Sequence, residues 1–316
     1  MSDTEAGLNF DERAVPRRAS ALVASLLLAL AALAWSGNHI VARYIGGHVP
    51  SWSLNFVRWL LVALLLALFA GPALVRDWTV IKRHWLVLAF LGALGGGLFG
   101  ALQYVGLKYT GALNMGVMNS VAPALIALAS FLIFRDRIGW LQVLGICISL
   151  SGVVAIVSKL DLEILQNFAF NRGDLIIVAN MAMWAVYSAC LRLRPKIATT
   201  SFLFTLAIAA ALVTLPFAAL EYLQGEQLVL DEITVGAAIY AAVFSSILAY
   251  MCWGRGIETL GVARAGAFLH LVPLFGALLA TTLLGEQLGL HHFVGFALIL
   301  FGVTLAVRRP KPGVIT

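Results

Sequence analysis

The sequence predicts an all-α polytopic membrane protein, with ten transmembrane helices arranged as two inverted five-helix repeats and both termini in the cytoplasm. Three observations predict it. The first is composition: 61% of the 316 residues are hydrophobic, 11% are charged and the mean hydropathy is +0.96, against about 25% charged in an ordinary soluble domain. The second is an internal register. Adding 150 to the residue number carries Gly111 onto Gly261, Gly116 onto Gly266, Pro123 onto Pro273, Asp136 onto Glu286, Gly139 onto Gly289, Gly145 onto Gly295 and Gly152 onto Gly302, with no gap over 111–159. The third is a one-sided distribution of lysine and arginine.

A helix needs about 20 apolar residues to cross a bilayer. The run 20–42 is the first that qualifies. The polar tail 1–19 before it carries Arg13, Arg17 and Arg18 and resembles a signal-peptide n-region. The run is too long for an h-region and ends in no small-x-small site, so it reads as a retained first span. The second run, 51–71, opens after Pro50. The third, 84–106, carries a glycine ladder, and the fourth, 111–133, holds Pro123 in mid-span. The fifth is 138–158, and a linker at 159–173 closes the first repeat of 20–158. The second repeat, 174–307, supplies 174–193, 199–220, 233–254, 261–284 with Pro273, and 288–307, and a basic tail, 308–316, ends the chain. The runs use about two thirds of the residues, which leaves room only for short loops.

With the N-terminus inside and the spans alternating, sixteen lysines and arginines fall on the inner side. They are Arg13, Arg17, Arg18, Arg76, Lys82, Arg83, Arg135, Arg137, Arg192, Arg194, Lys196, Arg255, Arg264, Arg308, Arg309 and Lys311. Four (Arg43, Lys108, Lys159 and Arg172) fall outside, and Arg58 lies within a span. This is the positive-inside pattern. The net charge of +6 is thereby topological, and nucleic acid is not an expected partner. Five spans per half turn the second half upside down, an arrangement typical of secondary transporters with a site near mid-membrane. The halves also match at Trp35 and Arg43 against Trp184 and Arg192, at Gly106 against Gly256 and at Ser51 against Ser201.

These residues carry a family resemblance. Each half resembles an EamA-type unit of the drug/metabolite transporter superfamily. The resemblance rests on Trp35-Ser-Gly-Asn, on Pro50 followed by Arg58, and on Gly106-Leu-Lys-Tyr-Thr-Gly-Ala leading to Pro123 and Arg135-Asp136-Arg137. Gly256, Gly261, Pro273 and Gly285-Glu286-Gln287 answer in the second half. It covers residues 20–307, and the layout is similar to amino-acid and metabolite exporters of the YddG kind. The resemblance implies a ten-helix inverted-repeat fold with a central cavity formed mainly by spans 1, 3, 4, 6, 8 and 9.

Gly92, Gly96 and Gly100 are spaced four apart in span 3, which permits close helix approach and suits a helix that slides or bends in gating. Pro123 and Pro273 are expected to kink their spans at matching depth, as hinges for rocking halves. Polar residues share helix faces with aromatic ones: Trp35 with Asn38, Phe99 with Gln103, Asn180 with Trp184, and Ser246 with Tyr250. With Asn119 and His270 they form the candidate substrate site. Amides and hydroxyls suit a zwitterion, and rings suit its apolar side chain and its ammonium. Each polar residue could equally bond a neighbouring helix. His270 is the one ionisable side chain near mid-span and could bind substrate or relay a proton, or sit neutral against a carbonyl. Arg58 is read as snorkelling outward or serving an outer gate.

No Asp or Glu lies in the middle of a span, so the expected transport is facilitative, without a coupling carboxylate. HExxH, GxSxG, P-loop and Cys/His clusters are absent. Cys147, Cys190 and Cys252 fall in apolar spans as small hydrophobes, and no cofactor or metal is expected. The sequence reads as a multi-pass inner-membrane exporter of small metabolites by alternating access. Amino acids with apolar or aromatic side chains are favoured, and drugs, purines or other metabolites are the alternative cargo. A polytopic membrane enzyme is the reading outside that class. The bilayer and a small-molecule substrate are the expected partners, and a 5+5 repeat can form a complete cavity as a monomer.

Overall fold

The structure, a computed structural model, describes residues 18–45, 49–107, 109–110, 118–167, 171–284 and 288–307. Residues 1–17 and 308–316 lie outside these, as do Lys108, Gly111, Gly116, Gly285, Glu286 and Gln287. Among the described residues regular structure is helical throughout. Nine helices are long and apolar enough to cross a membrane, and a tenth, Ala122–Phe134, is apolar and shorter.

The first half consists of α1 (Arg18–Tyr44), α2 (Ser51–Arg83), α3, α4 (Ala122–Phe134) and α5 (Trp140–Val157). Helix α3 is built from Trp85–Gly92, π-helical turns over Ala93–Leu98, and Phe99–Leu107. One turn of helix, Leu162–Gln166, lies in the linker, capped by the Asp161 side chain. The second half consists of α6 (Arg172–Cys190), α7 (Thr199–Leu223), α8, α9 and α10 (Leu290–Val307). Helix α8 joins Glu232–Tyr240, π turns over Ala241–Leu248, and Ala249–Leu260, while α9 joins Val262–Ala267, a 3-10 turn at Phe268–His270, and Leu271–Leu284.

Three expectations need correction. The second span does not stop at 71; α2 runs through Pro72 to Arg83, because the inner basic segment continues the helix. The fourth span is not one kinked helix. A turn at 120–121 precedes α4, and Pro123 sits in its first turn, where the missing N–H is one the helix start leaves unpaired anyway. Pro273 likewise falls in the first turn after the 3-10 segment of α9. Both prolines start a helix segment after a break instead of bending a continuous one.

The inversion is visible in the packing. Gly145 of α5 lies against Gly302 and Ala306 of α10, and Gly152 lies against Gly295 and Ile299. Since 145 corresponds to 295 and 152 to 302, the two contacts are one contact repeated about a pseudo-two-fold axis. A Cβ at Gly152 would stand 2.7 Å from the Gly295 carbonyl oxygen, so only glycine lets these backbones meet. The α2–α7 pair is tied at both ends by an acid from the other helix. Glu221, near the end of α7, accepts from the Trp52 and Ser53 N–H groups at 3.1 and 2.8 Å. Asp77, near the end of α2, accepts from the Ala198 N–H at 2.8 Å. Each carboxylate satisfies N–H groups that a helix start leaves without partners. Inside this frame α1 packs on α8 and α9, as α6 packs on α3 and α4.

Candidate functional site

The π turns of α3 and α8 position the centre of the molecule. A π turn shifts the hydrogen-bond ladder by one residue. In α3 the Phe99 N–H bonds the Leu94 carbonyl, five residues back, so the Gly95 carbonyl loses its α-helical donor. In α8 the Ala249 N–H bonds the Phe244 carbonyl, which releases the Ser245 carbonyl. Gly95 and Ser245 are 150 apart. A buried carbonyl must find a donor, and each finds an aromatic side chain from elsewhere. The Tyr250 hydroxyl donates to the Gly95 carbonyl, and Trp35 Nε1 donates to the Ser245 carbonyl at 3.1 Å.

Those two bonds draw the rings into one cluster. Trp184 of α6, 2% exposed, is its hub. Its ring centroid lies 4.5 Å from Phe99, 5.1 Å from Tyr187, 5.3 Å from Trp35, 5.7 Å from Trp253 and 5.8 Å from Tyr250. Trp59 of α2 joins through Tyr250 at 5.3 Å, and its Nε1 donates to the Gly96 carbonyl at 2.8 Å. Most of these pairs are edge-to-face or tilted, the arrangement the ring quadrupoles favour.

Of the residues read from the sequence, Trp35, Phe99, Trp184 and Tyr250 meet here. Gln103 and Asn180 meet each other: the Asn180 amide donates to Gln103 Oε1 at 2.7 Å, one helical turn from Phe99 and Trp184. Asn180 Oδ1 is buried without a partner, as is Trp253 Nε1. Ser246 accepts from Arg58. Asn38 stands apart, donating to the Tyr104 hydroxyl at 3.2 Å. Asn119 lies at the break before α4, its Oδ1 unpaired. His270 is fully buried, with Nδ1 against the Ser149 hydroxyl and Nε2 2.8 Å from the Ser120 carbonyl. Both ring nitrogens are occupied, and among the described residues no ring contact joins it to the cluster. Ser120 is the position that corresponds to His270 in the first half.

The glycine ladder faces two helices. A Cβ on Gly92 would meet Ala209 and Leu206 of α7, one on Gly96 would meet Ala210 and Trp59, and one on Gly100 would meet Asn55. The ladder seats α3 on both α7 and α2.

Sequence reasoning missed Trp59 and Tyr187, and it marks Trp253 only as the residue that stands opposite Gln103 in the 150-residue register. The signal was available: Tyr187 follows Trp184 and Trp253 follows Tyr250 by three residues, so each pair shares a helix face. Arg58 is a correction. It does not snorkel: it is 5% exposed and turns inward to α8. Its depth was legible from the sequence, but the direction of its side chain was not.

A small cleft, with a cavity volume of about 10 Å³, lies between the inner ends of α6, α7 and α8, room for roughly one water molecule. Tyr187 and Tyr250 of the cluster line it, with Arg194, Thr199, Phe202 and Arg255. On the same basic face Asp136 of the first half is held by Arg192 of the second and by Ser130. The Arg192 guanidinium, which also lies 4.1 Å over the Phe134 ring, holds the Asp136 carboxyl below its usual range. Among the described residues no His/Cys/Asp/Glu group could hold a metal ion.

The family model of the EamA-like transporters matches residues 22–158 and again 171–308. The chain belongs to the EamA-like transporter family. As such it is a multi-pass membrane transporter of the drug/metabolite superfamily. This EamA-like chain is 27% identical over 284 residues to the Bacillus subtilis "Uncharacterized transporter YyaM", covering 86% of this chain and 90% of that one. It is 26% identical to a "Probable terminal-alkyne amino-acid exporter" of Streptantibioticus cattleyicolor, covering 81% and 84%. It is 24% identical to a "Probable amino-acid metabolite efflux pump" of Salmonella typhimurium, covering 89% and 93%. A solved structure with 21% identity superposes with a TM-score of 0.73 over 90% of this chain and 96% of that one, a likeness of fold.

Proposed function

We propose that this EamA-like transporter exports small zwitterionic metabolites, with apolar or aromatic amino acids as the favoured cargo. The observation that carries this reading is the aromatic cluster of Trp35, Phe99, Trp184, Tyr187, Tyr250 and Trp253, with unpaired polar atoms at Asn180 and Trp253 beside it. Rings of this kind cover an apolar side chain and attract an ammonium. Unpaired buried amide and indole groups gain free energy when a ligand pairs them. The names of two relatives, an amino-acid exporter and an amino-acid metabolite efflux pump, point to the same class.

Cargo enters where the inner cleft widens, passes the Tyr187–Tyr250 contact and is enclosed by the rings as the halves exchange accessibility. Trp35, Phe99, Gln103, Asn180, Trp184, Ser246 and Tyr250 line its path. Asn38 and Asn119 flank it, and His270 braces the halves. No carboxylate lies at mid-span among the described residues, so the cargo's own gradient drives movement. The test is counterflow in proteoliposomes across a panel of amino acids, purines and cationic drugs. An aromatic or branched amino acid should exchange at a rate insensitive to collapse of the pH gradient and membrane potential. Trp184→Ala should lower that rate by about tenfold or more, as loss of a buried anchor ring does. Abolition by uncoupling, or an unchanged rate in Trp184→Ala, sinks the reading.

A further inference from the structure

We propose that Arg58 is the receptor for a carboxylate on the cargo, an inference that rests on the zwitterion reading above and adds the group that recognises the acid end. Arg58 lies seven residues into α2, roughly 10 Å below the helix start at 1.5 Å per residue. Its guanidinium cannot lose its proton in a protein, so a full positive charge is buried in the outer half of the bundle. Buried charges are expected to be paired.

Every acceptor Arg58 has is neutral. Nε donates to Ser246 Oγ at 2.6 Å, and Nη2 donates to the Ser245 carbonyl at 3.2 Å and to Ser245 Oγ at 3.1 Å. Nη1 donates no hydrogen bond among the described residues. The buried acids are engaged elsewhere: Glu221 caps α2, Asp77 takes Arg76 and the Ala198 N–H, and the Asp174 carboxylate accepts from the Thr110 hydroxyl and the Asn171 N–H. The guanidinium is a charge whose counter-ion the described chain does not supply.

Its surroundings place it at the edge of the cluster. It lies 5.2 Å over the Trp59 ring, which is 5.3 Å from Tyr250. It shares the Ser245 carbonyl with Trp35 Nε1. A carboxylate bound here would leave the remainder of an amino acid against Trp35, Trp59 and Tyr250. The two serine hydroxyls occupy the donor edge where two carboxylate oxygens would sit. Ser246 Oγ also donates to the Ala241 carbonyl at 2.9 Å, so it keeps a partner when the guanidinium turns to an anion. A guanidinium fork meets a carboxylate with two parallel, charge-assisted bonds, which neutral hydroxyls cannot match.

The experiment compares a transported amino acid with its carboxamide and its decarboxylated amine, by counterflow and by ligand-induced thermal shift of the full-length protein. The parent should prefer the acid by about tenfold or more. Arg58→Gln and Arg58→Lys should bring that preference to within about threefold, while Trp184→Ala lowers transport of all three ligands. Ser246→Ala, which removes a competing acceptor, should raise the preference for the acid over the carboxamide. An arginine that only tethers α2 to α8 would weaken both. Ser246→Ala and the thermal shifts of the parent carry the test if neither Arg58 variant folds. Three results overturn the assignment. A folded Arg58→Gln that keeps the acid preference removes Arg58 and leaves the zwitterion reading standing. A parent indifferent between acid and carboxamide removes carboxylate recognition. A parent that moves and binds none of the three overturns both readings together.

Discussion

The π turns of α3 and α8 are the same backbone device placed 150 residues apart, and they serve different ends. In α3 the sequence is Ala-Leu-Gly-Gly-Gly-Leu, and with no side chains to intervene the rings rest on the backbone: Tyr187 against Gly95 and Trp59 against Gly96. In α8 the corresponding residues are Ser245 and Ser246, whose hydroxyls reach Arg58. The repeat supplies a released carbonyl in each half. The side chains then break the symmetry: the α3 turn seats rings alone, while the α8 turn seats the Trp35 ring and a charge. If cargo binds at the centre, as proposed, that asymmetry offers unlike ends to a molecule that has unlike ends.

The comparison is broken most forcefully at Gly96. A Cβ there would stand 2.8 Å from the Ala210 Cβ and 2.9 Å from the Trp59 ring. Gly96→Ala should therefore destabilise by about 1–3 kcal/mol, as overpacking does, seen as a lower melting temperature in detergent. Gly71→Ala in α2, where nothing lies within 4 Å, should leave the melt within about 1 kcal/mol of the parent. Equal melts for the two variants would mean that the glycines of α3 are not a seat at all.

Next in size is the Tyr250 hydroxyl. Tyr250→Phe strips the side-chain donor from the Gly95 carbonyl and should cost about 1–3 kcal/mol, the range for a buried group left unpaired. Ser245→Ala should cost less, about 0.5–1.5 kcal/mol, because Arg58 Nη2 keeps the Ser245 carbonyl. If the order of the two melts reverses, the released carbonyl of α3 is not the one that matters.

The smallest effect is expected at the basic face, where Asp136 of one half meets Arg192 of the other. The Arg192 guanidinium holds the folded-state pKa of Asp136 below its ordinary value. The stabilisation it gives is present above the unfolded pKa, near 3.9, and is lost as pH falls from there through the lower folded value. Over that acid range the parent's melting temperature should fall further than that of Asp136→Asn. The half-exposed pair is screened by solvent and makes a modest contribution, and parallel acid titrations would sharpen or erase it.

Much of the frame was legible before any coordinates. Span length, lysine and arginine sidedness and the 150-residue register are local or additive properties of a chain, so a one-dimensional reading captures them. The cluster was half legible: Trp35, Phe99, Trp184 and Tyr250 stood out because each shares a face with a polar residue. Tyr187 and Trp253 lack that marker, while Trp59 carries it in Asn55, four residues earlier. The π turns were not legible, since a one-residue shift in hydrogen bonding leaves no mark in hydropathy. The direction of Arg58 was hidden with them, since one of its partners, the Ser245 carbonyl, is released by the π turn of α8. At Pro123 and Pro273 the sequence locates the irregularity, while its form depends on what satisfies the freed carbonyls. At Ser120 that partner is His270, a residue remote in the chain.

The contact between His270 and the Ser120 carbonyl joins a position to its own counterpart. A line drawn between them crosses the pseudo-two-fold axis, so exchanging the halves maps the line onto itself. The Asp136–Arg192 pair has no such property, because its members are not each other's counterparts. If the halves trade shapes during a transport cycle, ties of the second kind must open on one face as others form on the opposite face. The His270 tie is a fixed point of that exchange and can persist through the whole cycle, as the pin of a hinge keeps its place while both leaves swing.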